Sequence, residues 1–179
     1  MKATGIVRRI DDLGRVVIPK EIRRTMRIRE GMPLEIFTDK DGEVIFKKYS
    51  PLGELGAYSA QYADAISKVA GRPVAVCDRD TVVAAAGSGS KEIIERSISG
   101  NVAAILESRK PFAASDGTAE IELTETGAGR VSYLSPILSE GDVIGGIMLL
   151  QGNSNGVPDD ADRKMINAGA LFLSKQFEV

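Results

Sequence analysis

Four arginines near the start of the chain carry the most distinctive chemistry of this sequence: Arg8, Arg15, Arg23 and Arg24. A guanidinium group presents a planar set of N–H donors, which can bind phosphate oxygens or a guanine edge in two places at once. Four further cations lie among them and are candidates for auxiliary contacts: Lys2, Arg9, Lys20 and Arg27. Because no aromatic residue lies among these cations, the pattern favours double-stranded nucleic acid over stacking on a single strand.

The elements that position these arginines are predicted to be a turn, a strand and a helix. Leu13-Gly14 predicts the turn, because glycine adopts a positive φ without steric cost. The β-branched run from Val16 to Ile18 predicts a strand, and Pro19 suits the first position of a helix that we expect to end near Gly31. On a 3.6-residue period, Lys20, Arg24 and Arg27 form a cationic face of this helix. Ile22 and Met26 form its apolar face.

The rest of the first fifty residues predicts short strands. Thr4 to Ile10 indicates one strand, and residues 33–38 and 43–48 indicate a hairpin around the turn Asp41-Gly42. A unit of this size buries little apolar area by itself. We therefore expect a homodimer in which a second copy pairs with its open strand edges.

Two aspartates, Asp11 and Asp12, lie beside the basic residues. They could orient Arg15 or repel phosphates that approach wrongly. A cap on the turn is the simpler interpretation, and we favour it.

Charge is distributed unevenly along the chain. Residues 1–50 contain 12 Lys/Arg and 8 Asp/Glu, a net charge of +4, whereas residues 51–179 contain 11 and 17, a net charge of −6. This asymmetry predicts that the first part of the chain meets a polyanion and the second does not.

Several classes of function are disfavoured by composition. The chain has no histidine, which is the commonest general base and zinc ligand, so we expect no catalytic residue, no metal site, no cofactor and no enzymatic activity. Its single cysteine, Cys77, is expected in a core and permits no internal disulfide. The longest apolar run near the C-terminus, residues 143–150, is much shorter than a membrane span of about 20 residues. We expect a cytoplasmic, nucleoid-associated protein without a membrane partner.

After a linker at residues 50–53, the sequence predicts an α+β domain with a mostly antiparallel sheet flanked by helices. The predicted helices span 52–70, 91–99 with Ser90 as a cap, 101–108, and a last one that begins near Pro158. The predicted strands span 73–78 and 81–86, an edge strand at 112–114, and a hairpin of 131–138 with 143–150. For Gly145-Gly146, inside the last strand, a bulge or tight helix packing is favoured over close approach of a ligand.

The motifs of the first fifty residues resemble the AbrB-type DNA-binding domain. They are residues 4–8, 13–19, 21–25, 34–36 and 47–49. The resemblance implies a swapped-hairpin β-barrel of two interleaved chains, in which Arg8, Arg15, Arg23 and Arg24 contact DNA. Over its whole length the chain resembles a family of SpoVT-like sporulation regulators, which implies a GAF-like second domain.

The resemblance divides the chain into a DNA-binding domain at residues 1–52 and a GAF-like domain at 56–179. It implies a transcription regulator of sporulation-stage genes, able to activate or repress. The GAF-like domain would sense an unidentified small ligand or drive oligomerisation, up to a homotetramer. An antitoxin that binds both DNA and a toxin remains an alternative, because MazE-like antitoxins share the swapped-hairpin barrel.

Overall fold

The computed structural model describes residues 5–50, 52, 56–115, 120–152 and 156–177. The chain divides into two compact units, Met1–Tyr49 and Ser50–Val179, which we call the N-terminal and C-terminal units. Of the predicted DNA-contacting residues, Lys2 lies outside the described ranges.

The N-terminal unit contains one short helix and one hairpin. The helix is α1 (Lys20–Thr25), and the strands are β1 (Leu34–Thr38) and β2 (Val44–Lys48). The hairpin pairs Leu34 with Lys48 and Thr38 with Val44, as its alternating pattern predicted. At the turn, the Asp39 carboxylate accepts hydrogen bonds from the amides of Asp41 and Glu43 at 3.0 and 2.9 Å.

Two strand predictions in the N-terminal unit were wrong for this chain. Neither the described part of residues 4–10 nor residues 16–18 forms a strand. A strand exists only when it is paired, and β1 and β2 pair with each other in a two-stranded sheet. The apolar side chains of both segments stay in solvent, with Val7 89% and Val17 70% exposed.

Helix α1 is also shorter than predicted, since it ends at Thr25 and not near Gly31. Arg27 adopts a left-handed φ of 54°, and the Ile28 amide donates back to the Arg23 carbonyl at 2.7 Å. This left-handed turn closes the helix, as glycine does at many helix ends. Arg27 therefore lies beyond the helix and does not continue its cationic face.

Among its described residues, the C-terminal unit contains a five-stranded antiparallel sheet, four helices and one further helical residue, Leu52. The strands are β3 (Val74–Cys77), β4 (Val82–Ala86), β5 (Phe112–Ala113), β6 (Val131–Ser139) and β7 (Asp142–Leu150), in the order β4-β3-β7-β6-β5. The helices are α2 (Gly56–Ala70), α3 (Ser90–Ile93), α4 (Gly100–Ser108) and α5 (Asp160–Lys175). The predicted α+β class with a mostly antiparallel sheet is confirmed.

Strand alternation divides the core of this unit into two layers. Val74 and Val76 of β3 pack with Ala63 of α2 and with Ile166 and Leu173 of α5. The intervening residues of β3, Ala75 and Cys77, belong to a second cluster with residues of α3 and α4. A sheet buried on both faces explains why its strands read as almost continuous apolar runs.

The predicted helix at 91–99 was wrong over most of its length. Helix α3 ends at Ile93, and Glu95 adopts a φ of 63°. Ile98 is then buried in the second cluster and forms a β-bridge with Thr124. Ser90 is the first residue of α3 and not its cap, since Gly89 occupies the cap position with a φ of 74°.

Other local predictions were confirmed. The hairpin of β6 and β7 and the edge strand β5 are both present. Asp159 and Asp162 form a reciprocal capping box at the start of α5. None of the helices in the described ranges is long and apolar enough to cross a membrane.

Candidate nucleic-acid interface

The turn before α1 is built by one carboxylate, that of Asp11. Its Oδ1 atom accepts hydrogen bonds from the amides of Leu13 and Arg15, at 3.0 and 2.7 Å. The Asp11 amide also donates to the Arg15 carbonyl at 3.0 Å, and Gly14 adopts a φ of 75°. The favoured interpretation of Asp11 as a turn cap is confirmed.

The same carboxylate also holds a predicted DNA-contacting side chain. The Arg15 Nε atom donates to Asp11 Oδ2 at 2.8 Å, while the Arg15 side chain is 69% exposed. The backbone hydrogen bond from Arg15, and then the one from its side chain, hold the pKa of Asp11 below its ordinary value. Capping and orientation, which the sequence presented as alternatives, therefore occur together.

Helix α1 carries an exposed cationic surface. Lys20, Arg23 and Arg24 are exposed, and spacings of three and four residues bring Lys20 onto the same side as both arginines. Arg23 and Arg24 occupy the last turn, where positive charge is favoured by the partial negative charge of the helix end. Ile22 is half-buried below them.

The remaining described candidates for DNA contact are also exposed to solvent. Arg8 and Arg9 are exposed in the segment that leads into the Asp11 turn, and Arg27 is exposed just after α1. Every described candidate thus lies at the surface of the N-terminal unit, in the segment before the turn, in the turn itself, or on and just after the helix.

The N-terminal unit also exposes many apolar side chains. Within the described range 5–49, only Pro19 is buried. Large apolar side chains of the unit are in contact with solvent, among them Val7, Ile10, Leu13, Val17, Ile36 and Val44. An unusually large exposed apolar surface indicates an interface with another chain.

The C-terminal unit contains a groove of about 650 Å³ near the end of α2. Among its lining residues, the Lys68 ammonium pairs with Asp64 at 2.6 Å. Arg72 pairs with Asp162 at 2.9 Å and donates to the Gly156 carbonyl at 3.2 Å. These charges pair within the chain, although the Arg72 Nε atom is buried without a hydrogen-bond partner among the described residues.

Other chemical sites are not apparent in the parts of the chain that the structure describes. These residues contain no cluster of three acidic or cysteine side chains that could hold a metal ion. Cys77 is fully buried, and desolvation raises the pKa of its thiol to about 12. It is therefore a core residue and not a reactive thiol at neutral pH.

Sequence reasoning missed one structural contact of consequence. Leu52 is fully buried in the core of the C-terminal unit, only four residues after the end of β2. A Cβ atom added to Gly145 would clash with the end of the Leu52 side chain, so the two residues are in close contact. An apolar residue between a proline and a glycine offers no local signal of this contact.

Comparisons with known proteins agree with this division into two parts. A family model described as "Stage V sporulation protein T C-terminal, transcription factor" matches residues 54–178. A second model, "Antidote-toxin recognition MazE, bacterial antitoxin", matches residues 7–53. The chain is 46% identical to Stage V sporulation protein T of Bacillus subtilis (strain 168), over 99% of both chains.

Each part also has its own relative. The chain is 61% identical to the Transition state regulatory protein AbrB of Bacillus subtilis (strain 168) over 51 residues. This match covers 28% of this chain and 52% of the relative. The blue-light absorbing form of the Thermosynechococcus elongatus PixJ GAF-domain is 18% identical, with a TM-score of 0.51 over 72% of this chain and 90% of that one. The first likeness confirms an AbrB-like N-terminal domain, and the second confirms a GAF-like fold.

Proposed function

Because this chain belongs to the stage V sporulation protein T family of DNA-binding transcription regulators, we propose that it controls genes of the sporulation stage. It activates or represses these genes, or does both, and it acts on the nucleoid. The observation that carries this proposal is the full-length similarity to a sporulation protein, together with exposed arginines and a net positive charge on the AbrB-like part.

Arg8, Arg15, Arg23 and Arg24 are the proposed DNA contacts. All four are exposed, and the part of the chain that contains them carries the excess of positive charge. Exposed guanidinium groups bind phosphates strongly because they offer several donors in one plane. Lys2, Arg9, Lys20 and Arg27 are proposed as weaker, auxiliary contacts.

The DNA-binding species is proposed to be a homodimer with interleaved N-terminal domains. The exposed apolar residues of the N-terminal unit support this, because a second copy would cover them and pair with the segments that form no strand here. Two copies bring eight arginines to one surface. If all eight contact phosphates, the logarithm of affinity falls with the logarithm of salt concentration at a slope of roughly −7.

The test is fluorescence anisotropy of the full chain on duplex DNA across a salt series. Arg23→Ala/Arg24→Ala removes half of the proposed contacts, so we expect weaker binding and a salt slope reduced to roughly half. Lys91→Ala/Lys110→Ala removes the same charge from exposed positions of the C-terminal unit, and serves as the matched control. Equal binding by both variants would remove α1 from the interface.

The GAF-like domain is proposed to join dimers into a homotetramer, in preference to sensing a small ligand. Apolar side chains of α2 and α5 are exposed, with Val69 76% in contact with solvent, and Leu171 and Phe172 are also exposed. The groove, in contrast, has paired charges. Light scattering tests this, because Leu171→Glu should reduce a mass of four 19.1 kDa chains to two. Lys91→Glu, at an exposed position of α3 on the opposite face of the sheet, should not.

An antitoxin-like function is the second candidate. The match of residues 7–53 to an antitoxin family supports it. The predicted observation would be a small toxin that co-purifies with the full chain and that competes with DNA. A patterned domain of more than a hundred residues, in place of a short toxin-binding tail, favours the regulator.

A further inference from the structure

We propose that Asp11 is a positioning residue for DNA binding, because its carboxylate holds Arg15 by Nε and leaves the two terminal amino groups of the guanidinium to contact DNA. This inference rests on the proposed function, since it requires Arg15 to contact DNA.

The two oxygen atoms of Asp11 have separate roles. Oδ1 accepts the amides of Leu13 and Arg15 and so shapes the turn. Oδ2 accepts Arg15 Nε at 2.8 Å. One side chain therefore fixes both the backbone and the guanidinium of the same residue, while the rest of the Arg15 side chain remains mostly in solvent.

This arrangement selects which donors of Arg15 remain available. A guanidinium has five N–H groups, one on Nε and two on each terminal nitrogen. A bidentate contact can use Nε with one terminal nitrogen, or both terminal nitrogens together. With Nε donating to Asp11, the second mode remains, and it fits two phosphate oxygens or the O6 and N7 atoms of a guanine.

A carboxylate beside a DNA-contacting arginine has an opposing effect. Its negative charge repels the phosphates, so a purely electrostatic view predicts that removing it strengthens binding. Holding the side chain before binding reduces the entropy lost when Arg15 is immobilised on DNA. The two effects have opposite signs, so a substitution at Asp11 can distinguish them.

Asp11→Asn separates the two roles of the side chain. The amide oxygen of asparagine can still accept the Leu13 and Arg15 amides, because Asn forms the same type of turn as Asp. Its amide nitrogen is a donor and cannot accept Arg15 Nε. Asp12→Asn, at the next and likewise exposed residue, makes the same change of charge and is the matched control.

The measurement is the dissociation constant of the full chain on duplex DNA at fixed salt, for these variants and for Arg15→Ala. We expect Asp11→Asn to bind about threefold to tenfold more weakly than Asp12→Asn, as the loss of one ordered side chain implies. In an Arg15→Ala background the two variants should bind equally. The Gly14 amide chemical shift and the oligomeric mass establish that the turn and the assembly persist.

The outcomes distinguish this inference from the proposed function. If Arg15→Ala binds like the parent chain, Arg15 is not a contact and both ideas fail at this residue. If Arg15→Ala weakens binding but Asp11→Asn and Asp12→Asn bind equally, the positioning role alone is refuted. A difference between the two that persists without Arg15 would also refute it, since Asp11 would then act through the turn.

Discussion

Gly145 and Gly146 are neighbours on β7, and their alanine variants should differ sharply in stability. A Cβ on Gly145 would lie well within 3.0 Å of both the Cys77 carbonyl oxygen and the end of the Leu52 side chain. A Cβ on Gly146 would meet a methyl carbon of Leu106 in α4 at 2.8 Å. The first clash involves backbone of the sheet, whereas the second involves the end of a side chain that can rotate.

The magnitudes follow from these contacts. Overpacking a well-packed core costs about 1–3 kcal/mol. Gly145→Ala should cost about 3 kcal/mol, because the end of β3 must move, and Gly146→Ala about 1 kcal/mol. Both substitutions lower the entropy of the unfolded chain equally, so that contribution cancels in the comparison. For a unit of about 130 residues, the expected decreases in Tm are about 11 °C and about 4 °C.

Calorimetry of the full chain measures these shifts. Combining Gly145→Ala with Leu52→Ala tests the contact itself, because removing the Leu52 side chain relieves one of the two clashes. Leu52→Ala alone should cost about 2–5 kcal/mol, and the double variant should lose less than the sum of the two. Equal shifts for the two glycine variants, or a larger shift for Gly146→Ala, would refute this account of β7.

Three further predictions concern single groups. Asp162→Ala should destabilise the C-terminal unit by about 3 kcal/mol in urea unfolding, because Arg72, 11% exposed, would lose its carboxylate partner and keep only the Gly156 carbonyl, and α5 would lose one side of its capping box. Native Cys77 should resist alkylation at pH 8. The pKa of the Cys77 thiol in the folded protein, about 12, lies above its ordinary value of 9.0. The stability that the buried thiol contributes is therefore complete below about pH 9 and is lost as pH rises towards 12. In an NMR titration Asp11 should show a pKa below its ordinary value of 3.8. The stability that its carboxylate contributes is therefore present above pH 3.8 and is lost as pH falls through the folded pKa. Arg15→Ala should raise this pKa only partway, because the backbone hydrogen bond from residue 15 remains.

Local signals predicted much of this fold. The Asp41-Gly42 turn with alternating flanks predicted the first hairpin, and the start of α5 was predicted near Pro158. Residues 94–99 show why local reasoning fails elsewhere. Their pattern fits a helix, but burial of Ile98 and its bridge to Thr124 are tertiary effects that outweigh a weak helical preference.

The geometry of the candidate interface was not predictable from the sequence, and the DNA contacts themselves stay predictions. Charge and spacing pointed to the arginines, and the turn signal pointed to a role for Asp11. That one carboxylate serves both the backbone and the side chain of Arg15 depends on the dihedral angles of the turn. The contact of Leu52 with Gly145 joins residues 93 positions apart, and no local pattern encodes such a pairing.

The exposed apolar surface of the N-terminal unit bears on whether mutations in this protein are dominant or recessive. If the active species needs two interleaved copies, its amount rises with the square of the chain's concentration when chains are scarce. A chain with a disabled arginine surface would still pair with intact ones. In a cell that makes equal amounts of both, only about one quarter of the dimers would be intact. Mutations in the arginines should therefore be dominant, whereas mutations that prevent pairing should be recessive.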